Sequence, residues 1–336
     1  MSYKVAVVGA SGNVGREMLD IIHERGFPVS DVVALASSRS AGNQVSFGDD
    51  DLTIQDLAKY DFKGTDFVFS SPGASVSAEY SPKAGKAGAI VVDNTSHFRM
   101  DPDVPLVVPE VNAHALKDYG KKNIVANPNC STIQMLVALK PLHDAANIKR
   151  VVVSTYQSVS GAGKAGMDEL FNQSRHFFMN DEVKQEQFSK QIAFNIIPQI
   201  DKFMDDHSTK EEWKMVVETK KILDEKIEVC ANCVRVPVFI GHAEMINVEM
   251  EKPLSRKQAM NLWRKADGVS LIDVDSEIEF VTPAEIAGED DVFISRVRED
   301  ISVENGLNFW CVSDNMRKGA ALNSIQIAET LIKDYL

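Results

Sequence analysis

The chain is poor in cysteine, with four in 336 residues. That excludes a disulfide scaffold, and with no secretory leader expected, the four read as reduced thiols of a cytoplasmic protein. A leader is not what the start resembles, because the apolar run at residues 5–8 is short and stops at Gly9. Long hydrophobic runs are missing: no stretch reaches the roughly 18 apolar residues of a membrane span. Basic residues are in deficit, 36 Lys and Arg against 49 Asp and Glu, for a net charge of −13. That argues against nucleic acid as the main partner, since a phosphate backbone rewards cations. Internal repeats and low-complexity segments are also absent. What remains is ordinary for a globular protein, 44% hydrophobic and 25% charged. The length suits about two domains with a sizeable core.

Short apolar strands are predicted at residues 4–8, 32–36, 66–70, 89–93 and 124–126, with helical pieces between, including Arg16 to His23 and Ser77 to Gly85. That alternation predicts a parallel, doubly wound sheet. The texture changes after about residue 128. Ser131 to His143 is apolar nearly all round and reads as a buried helix. A strand is expected at 151–158, loop or short helix at 170–190, and β-rich stretches at 229–250 and 292–313. Asn305-Gly306 reads as a hairpin signal, and Gly319 to Tyr335 returns to helical period. The fold class is therefore α/β: a Rossmann-like doubly wound N-terminal domain plus an α+β second domain with a mixed or antiparallel sheet. The boundaries are drawn at 1–128, with 316–336 packing back, and 129–315.

Gly9-x-x-Gly12-x-x-Gly15 follows the first strand and opens the first helix. Glycines allow a tight turn and close approach to a pyrophosphate, which the free N–H groups of a helix start would hold. Gly9, Ser11, Gly12, Asn13 and Val14 are the candidate contacts. An NAD site usually carries an acid at the end of the second strand. Here Ser37-Ser38-Arg39-Ser40 stands instead, and Arg39 with Ser40 suits the 2′-phosphate of NADP. A solvated loop that happens to hold an arginine is the plainer alternative.

Asn127-Pro128-Asn129-Cys130-Ser131-Thr132 precedes the buried helix, placing Cys130 at a helix N-terminus where N–H groups and the dipole favour a thiolate. The same N–H groups suit an oxyanion; the alternative is an inert buried cysteine. Cys230 and Cys233 form a C-x-x-C with no second pair to complete a zinc site, and read as structural. No metal is expected.

These pieces resemble the aspartate-semialdehyde dehydrogenase family over nearly the whole chain. The resemblance rests on the glycine turn, NTSHFR (94–99), NPNCST (127–132), QSVSGAGKAG (157–166), ETKK (218–221) and RVPVFIGHAE (235–244). It implies that Cys130 is the nucleophile, His242 the acid/base and Gln157 the glutamine beside the nucleophile. It implies that Arg99 and Lys221 bind phosphate, with Lys214 close enough to compete for that part. Asn129 joins this substrate-binding set. Glu218 would receive the substrate amino group and Arg235 its carboxylate, while Ser160, Gly161 and Asn315 would contact the cofactor. The implied reaction is NADP-dependent reduction of L-4-aspartyl phosphate to L-aspartate 4-semialdehyde through a cysteine thioester, releasing inorganic phosphate, in lysine, threonine and methionine biosynthesis. A homodimer is implied.

The residues alone are compatible with that chemistry. An aldehyde yields hydride only after a nucleophile adds, and a histidine near pKa 7 suits the proton transfers. Glu218 and Lys221, three apart, could instead be a surface pair. Arg235, in an apolar strand, demands a ligand or an ion-pair partner. Seven residues separate Arg235 from His242, so strict alternation puts them on opposite faces. Irregular backbone around Pro237 and Gly241 is therefore expected. The competing readings are an N-acetylglutamyl-phosphate reductase, which needs no acid at Glu218, and an NADP-sensing protein without chemistry.

Overall fold

The computed structural model describes residues 2–273 and 279–336. It divides into two compact units, 1–128 with 320–336, and 129–319. The expected boundary after residue 315 thus falls after 319. Gly319 stays with the second unit because its N–H donates to Asp314 O (3.2 Å) and a Cβ there would lie 2.8 Å from that of Cys130.

The first unit runs β1 (Tyr3–Val8), α1 (Asn13–Glu24), β2 (Val29–Ala36), β3 (Gln44–Phe47), β4 (Asp50–Thr53), β5 (Gln55–Asp56), β6 (Phe67–Ser70), α2 (Ala74–Lys86), β7 (Ile90–Asp93), α3 (Pro109–Asn112) and β8 (Ile124–Ala126), and takes in the C-terminal helix Leu322–Asp334. Six strands pair in the order β5-β2-β1-β6-β7-β8, all parallel. Parallel strands covered on both faces must be apolar throughout, and β6, β7 and β8 are buried at every position. The order reverses between β1 and β6, which opens a crevice at their C-terminal ends. Expectation missed the β3–β4 hairpin, although its two-residue Gly48-Asp49 turn is a known cue.

The second unit runs α4 (Cys130–Ala146), β9 (Ile148–Gln157), α5 (Gly163–Met179), α6 (Lys210–Ile222), β10 (Glu228–Arg235), β11 (His242–Met250), α7 (Arg256–Trp263), β12 (Val269–Leu271), α8 (Pro283–Ile286), β13 (Val292–Glu299) and β14 (Gly306–Ser313). Its sheet has the order β10-β9-β11-β14-β13-β12 and is mixed: β10 runs parallel to β9, whereas β11 is antiparallel to both β9 and β14. The apolar helix α4 packs on this sheet, with its surface buried nearly all round.

Two local expectations change. The 170–190 segment begins inside the helix α5. Its periodicity is hidden because two of its buried positions are polar, Glu169 and Gln173. They bind loop backbone, Gln173 Nε2 donating to Lys184 O (2.8 Å) and Gln173 Oε1 accepting from Ile192 N (2.9 Å). The β13–β14 pair is antiparallel, but residues 300–305 connect it and Gly306 already belongs to β14.

Cross-strand register builds one polar row inside this apolar layer. Cys233 faces Thr155, Thr155 faces Glu244, and Glu244 faces Cys311. Glu244 is fully buried with neither carboxylate oxygen hydrogen-bonded. Burial therefore holds its pKa well above the ordinary value, outweighing an opposing effect from Gln134. The folded state keeps a proton there that the unfolded chain gives up above about pH 4.5. Stability is thus lost as pH rises from that value through the folded-state pKa, by about 1.4 kcal/mol per pH unit. Glu244→Gln should remove this slope, so that its advantage over the parent in urea unfolding grows between pH 6 and pH 8. A pH-independent difference would show that the carboxyl is ionised.

Candidate active site

The first unit supplies a nucleotide cradle. Gly9 leaves β1 at φ +88°, a region that favours glycine, and a Cβ there would lie 2.7 Å from Ser71 O. Gly12 is the N-cap of α1, with no side chain capping the helix and no acid in its first turn. Asn13 and Val14 are that helix's first residues, and no acidic side chain of its first turn would compete with an anion there. A cavity of ≈490 Å³ is lined by Gly9, Ser11, Ser37, Ser38, Arg39 and Asp56, among others. Asp56 is occupied in part as a cap, accepting from Ala58 N (3.1 Å). Ser40 follows in the same turn, its N–H bonded to Ser37 O (2.9 Å). Also in this unit, the buried Arg99 is anchored by its Nε to Asn127 O (2.9 Å) and by a terminal nitrogen to Asn94 O (3.2 Å).

The second unit gathers Asn129, Cys130, Gln157, Ser160, Gly161, Glu218, Arg235, His242 and Asn315. Cys130 is the first residue of α4 and half-buried. Asn129 caps the helix, its Oδ1 accepting from Ser131 N (3.1 Å) and Thr132 N (3.2 Å). Its own N–H donates to Glu218 Oε2 (2.7 Å), so Glu218 is a buried acid and not a surface charge. Lys221, on the same helix, is half-buried. Lys214 is committed to Glu211 and Asp201, both at 3.0 Å.

Arg235 and His242 are not on one strand. β10 ends at Arg235, β11 begins at His242, and the two flank β9. Arg235 is the register partner of Gln157, and His242, next to the Ala243–Tyr156 pair, stands at the same level on the other side. The three side chains thus share one end of three adjacent strands. The irregular stretch between them crosses over β9, with Gly241 at φ +93°. Arg235 is buried, donates to Ser158 O (2.7 Å) and stacks at 6.0 Å over the Phe188 ring. Its guanidinium lies within electrostatic reach of both Glu211 and Cys130.

The donor side of His242 follows from one bond. Ser158 N–H donates to Nδ1 (3.1 Å), and a backbone amide cannot accept. Neutral His242 therefore carries its proton on Nε2, which is buried without a partner. Asn315 Oδ1 holds the surround by accepting from Ser158 Oγ (3.1 Å), Ser160 Oγ (3.0 Å) and Gly241 N (2.9 Å). Gly161 keeps the approach open, since a Cβ there would stand 2.9 Å from an Arg235 nitrogen and 3.3 Å from His242 Nε2. Burial, reinforced by Arg235, pulls His242 down to about 3. The expectation of a histidine near pKa 7 is thereby corrected: the resting ring is neutral.

Three participants escaped the sequence reading: Glu211, Ser158 and Glu244. Glu211 had a usable signal. Thr209-x-x-Glu212 is a capping box, formed here at the start of α6, and it places Glu211 in a first helical turn. Among the described residues, no group of three or more His, Cys, Asp or Glu could hold a metal. No helix among the described residues is long and apolar enough to cross a membrane.

Residues 4–119 match the family model "Semialdehyde dehydrogenase, NAD binding domain", and residues 139–318 match "Semialdehyde dehydrogenase, dimerisation domain". Fold and site thus define a semialdehyde dehydrogenase with an NAD(P)-binding unit. The chain is 52% identical to aspartate-semialdehyde dehydrogenase of Aquifex aeolicus, covering 100% of both. It is 50% identical to aspartate-semialdehyde dehydrogenase 2 of Vibrio cholerae, covering 99% of this chain and 98% of that one. The crystal structure of aspartate semialdehyde dehydrogenase II of Vibrio cholerae complexed with ASA superposes with TM-score 0.98 at 49% identity, covering 100% of both. That of the Candida albicans enzyme with NADP superposes with TM-score 0.76 at 26% identity, covering 99% of both. The chain belongs to the aspartate-semialdehyde dehydrogenase family, oxidoreductases of amino-acid biosynthesis.

The His242 assignment has a direct test. Histidine ¹⁵N shifts should report an Nε2–H tautomer that does not titrate between pH 5 and pH 8. A midpoint inside that window, identified by its loss in His242→Asn, would contradict the arrangement.

Proposed function

We propose that this enzyme reduces L-4-aspartyl phosphate to L-aspartate 4-semialdehyde with NADP as cofactor, and catalyses the reverse phosphorylating oxidation, through a thioester on Cys130. The reading places it on the route to lysine, threonine and methionine. The observation that carries it is Cys130 at the start of α4, within electrostatic reach of an Arg235 that shares one end of the sheet with Gln157 and His242. Cys130 Sγ attacks the acyl-phosphate carbonyl carbon, the carbon–oxygen bond to phosphate breaks, and inorganic phosphate leaves. The cofactor, when bound in its reduced form NADPH, would supply the hydride that reduces the thioester and leave as NADP⁺. The resulting oxyanion faces His242 Nε2–H; collapse expels the thiolate and frees the aldehyde. In the other direction the Cys130 thiolate adds to the aldehyde, and the same His242 Nε2–H meets the alkoxide from which hydride leaves.

The substrate's charges match the remaining residues. Arg235 makes no ion pair to a carboxylate among the described residues, which favours the substrate carboxylate as its partner. Glu218 takes the ammonium. Arg99 and Lys221 take phosphate, a choice favoured by the commitment of Lys214 to two acids. The cavity beside Gly9 and Ser11 suits the nucleotide. Gly12, Asn13 and Val14 would meet its pyrophosphate, Arg39 and Ser40 its 2′-phosphate, and Ser160, Gly161 and Asn315 its nicotinamide. The match of residues 139–318 to a dimerisation model supports a homodimer built on the second unit.

The decisive assay is NADPH formation from aspartate semialdehyde, NADP⁺ and phosphate, with each component omitted in turn. Activity that survives omission of phosphate would overturn the acyl-phosphate product. Cys130→Ala should lose at least about 10³-fold in turnover while keeping NADP binding. Arg39→Ala should weaken NADP by about tenfold or more and leave NAD nearly unchanged; equal losses would remove Arg39 from the 2′-phosphate.

A further inference from the structure

Glu211 is 4% exposed and carries no role so far. Burial alone would raise its pKa, but Lys214, Asn129 and Arg235 outweigh that and hold it below the ordinary carboxylate value. An ionised carboxylate only accepts hydrogen bonds. Its partners are Lys214 Nζ on Oε2 (3.0 Å), with Asn129 Nδ2 (2.8 Å) and Gln157 Nε2 (3.3 Å) both on Oε1. Each amide must therefore turn its NH₂ toward Glu211. For Asn129 this leaves Oδ1 to cap α4. For Gln157, the second N–H reaches Thr155 Oγ1 (3.3 Å), so both donors are spent inside the protein.

From this geometry we infer that Glu211 is a positioning residue that fixes the Gln157 amide so that its carbonyl oxygen, an acceptor, is the group presented to substrate. The inference rests on the proposed site, in which Gln157 stands beside the nucleophile. It divides the polar work of that site. His242 Nε2–H is the donor that meets the reacting oxygen. Gln157 accepts from an N–H or O–H of the substrate and stabilises no oxyanion. A glutamine with no charged neighbour could present either end; Glu211 removes the choice.

A double-mutant cycle on the full-length enzyme tests this. Glu211→Gln replaces the obligatory acceptor by a group that can donate or accept, so the Gln157 amide is free to flip. The variant should lose about tenfold or more in kcat/KM for aspartate semialdehyde, the scale of a hydrogen bond to a charged group. In a Gln157→Ala background the same change should cost less than threefold, because the residue it positions is gone. Additive losses, or wild-type kinetics in Glu211→Gln alone, would overturn the inference. Wild-type kinetics in Gln157→Ala would overturn the site reading and this inference with it. If Glu211→Gln does not fold, Gln157→Glu carries the test. A carboxyl facing Glu211 must hold a proton, so activity in that variant should fall relative to the parent's as the pH rises through neutrality. A profile parallel to the parent's would show that the side chain does not face Glu211.

Discussion

Everything at the second unit's site depends on β9 lying between two strands that come much later in sequence. Its neighbour on one side is parallel and on the other antiparallel, so the chain must cross over the end of β9 between Arg235 and His242. The crossover is sewn to the segment leaving β9: Val236 N–H donates to Gln157 O (3.0 Å), Val159 N–H to Val238 O (2.8 Å) and Ser160 N–H to Phe239 O (3.1 Å). These bonds bring a guanidinium, an amide and an imidazole to one level and supply the Ser158 amide that sets the histidine tautomer. A break in the crossover would therefore disturb charge, register and proton position together.

The second unit handles two buried acids, one on α6 and one on β11, in opposite ways. Glu211 is surrounded by donors and a cation, and it stays ionised. Glu244, two residues beyond His242 on the same face, has only a neutral row for company and keeps its proton. The difference suits their places. A fixed negative charge directly behind His242 would raise its basicity, whereas a neutral carboxyl leaves burial and Arg235 free to keep the ring unprotonated. The charge of Glu211, by contrast, also orients an amide.

Local signals in the sequence carried the parallel sheet of the first unit, though not its β3–β4 hairpin, because parallel strands and the glycine turn are written in contiguous residues. Gly9 shows why: its neighbours in the chain already demand the turn, and Ser71 only tightens the requirement. The second unit was less legible. Helix α5 hid behind Glu169 and Gln173, which bury polar groups at positions where periodicity looks for apolar ones. Arg235 and His242 seemed to oppose each other only because a single strand was assumed; the strand order that reconciles them is non-local. Glu211 and Ser158 act through a carboxylate and a backbone N–H, and neither leaves a motif unless the capping box before α6 is read first.

The residue types at such a site state which atoms are available, and their partners decide which way each proton points. A histidine and a glutamine each offer a donor and an acceptor, so Cys130, Gln157 and His242 taken alone permit two opposite polarities. Here a backbone amide, which cannot accept, meets the histidine, and a carboxylate meets the glutamine at a distance where only a donor fits. Both constraints come from groups with a single hydrogen-bonding sense, one set by the covalent backbone and the other by ionisation. The backbone constraint holds at every pH, while the carboxylate one lasts only while Glu211 stays charged. That makes the salt bridges of Lys214 to Glu211 and Asp201 part of the site, because they keep a fully buried acid ionised and so keep the glutamine facing one way.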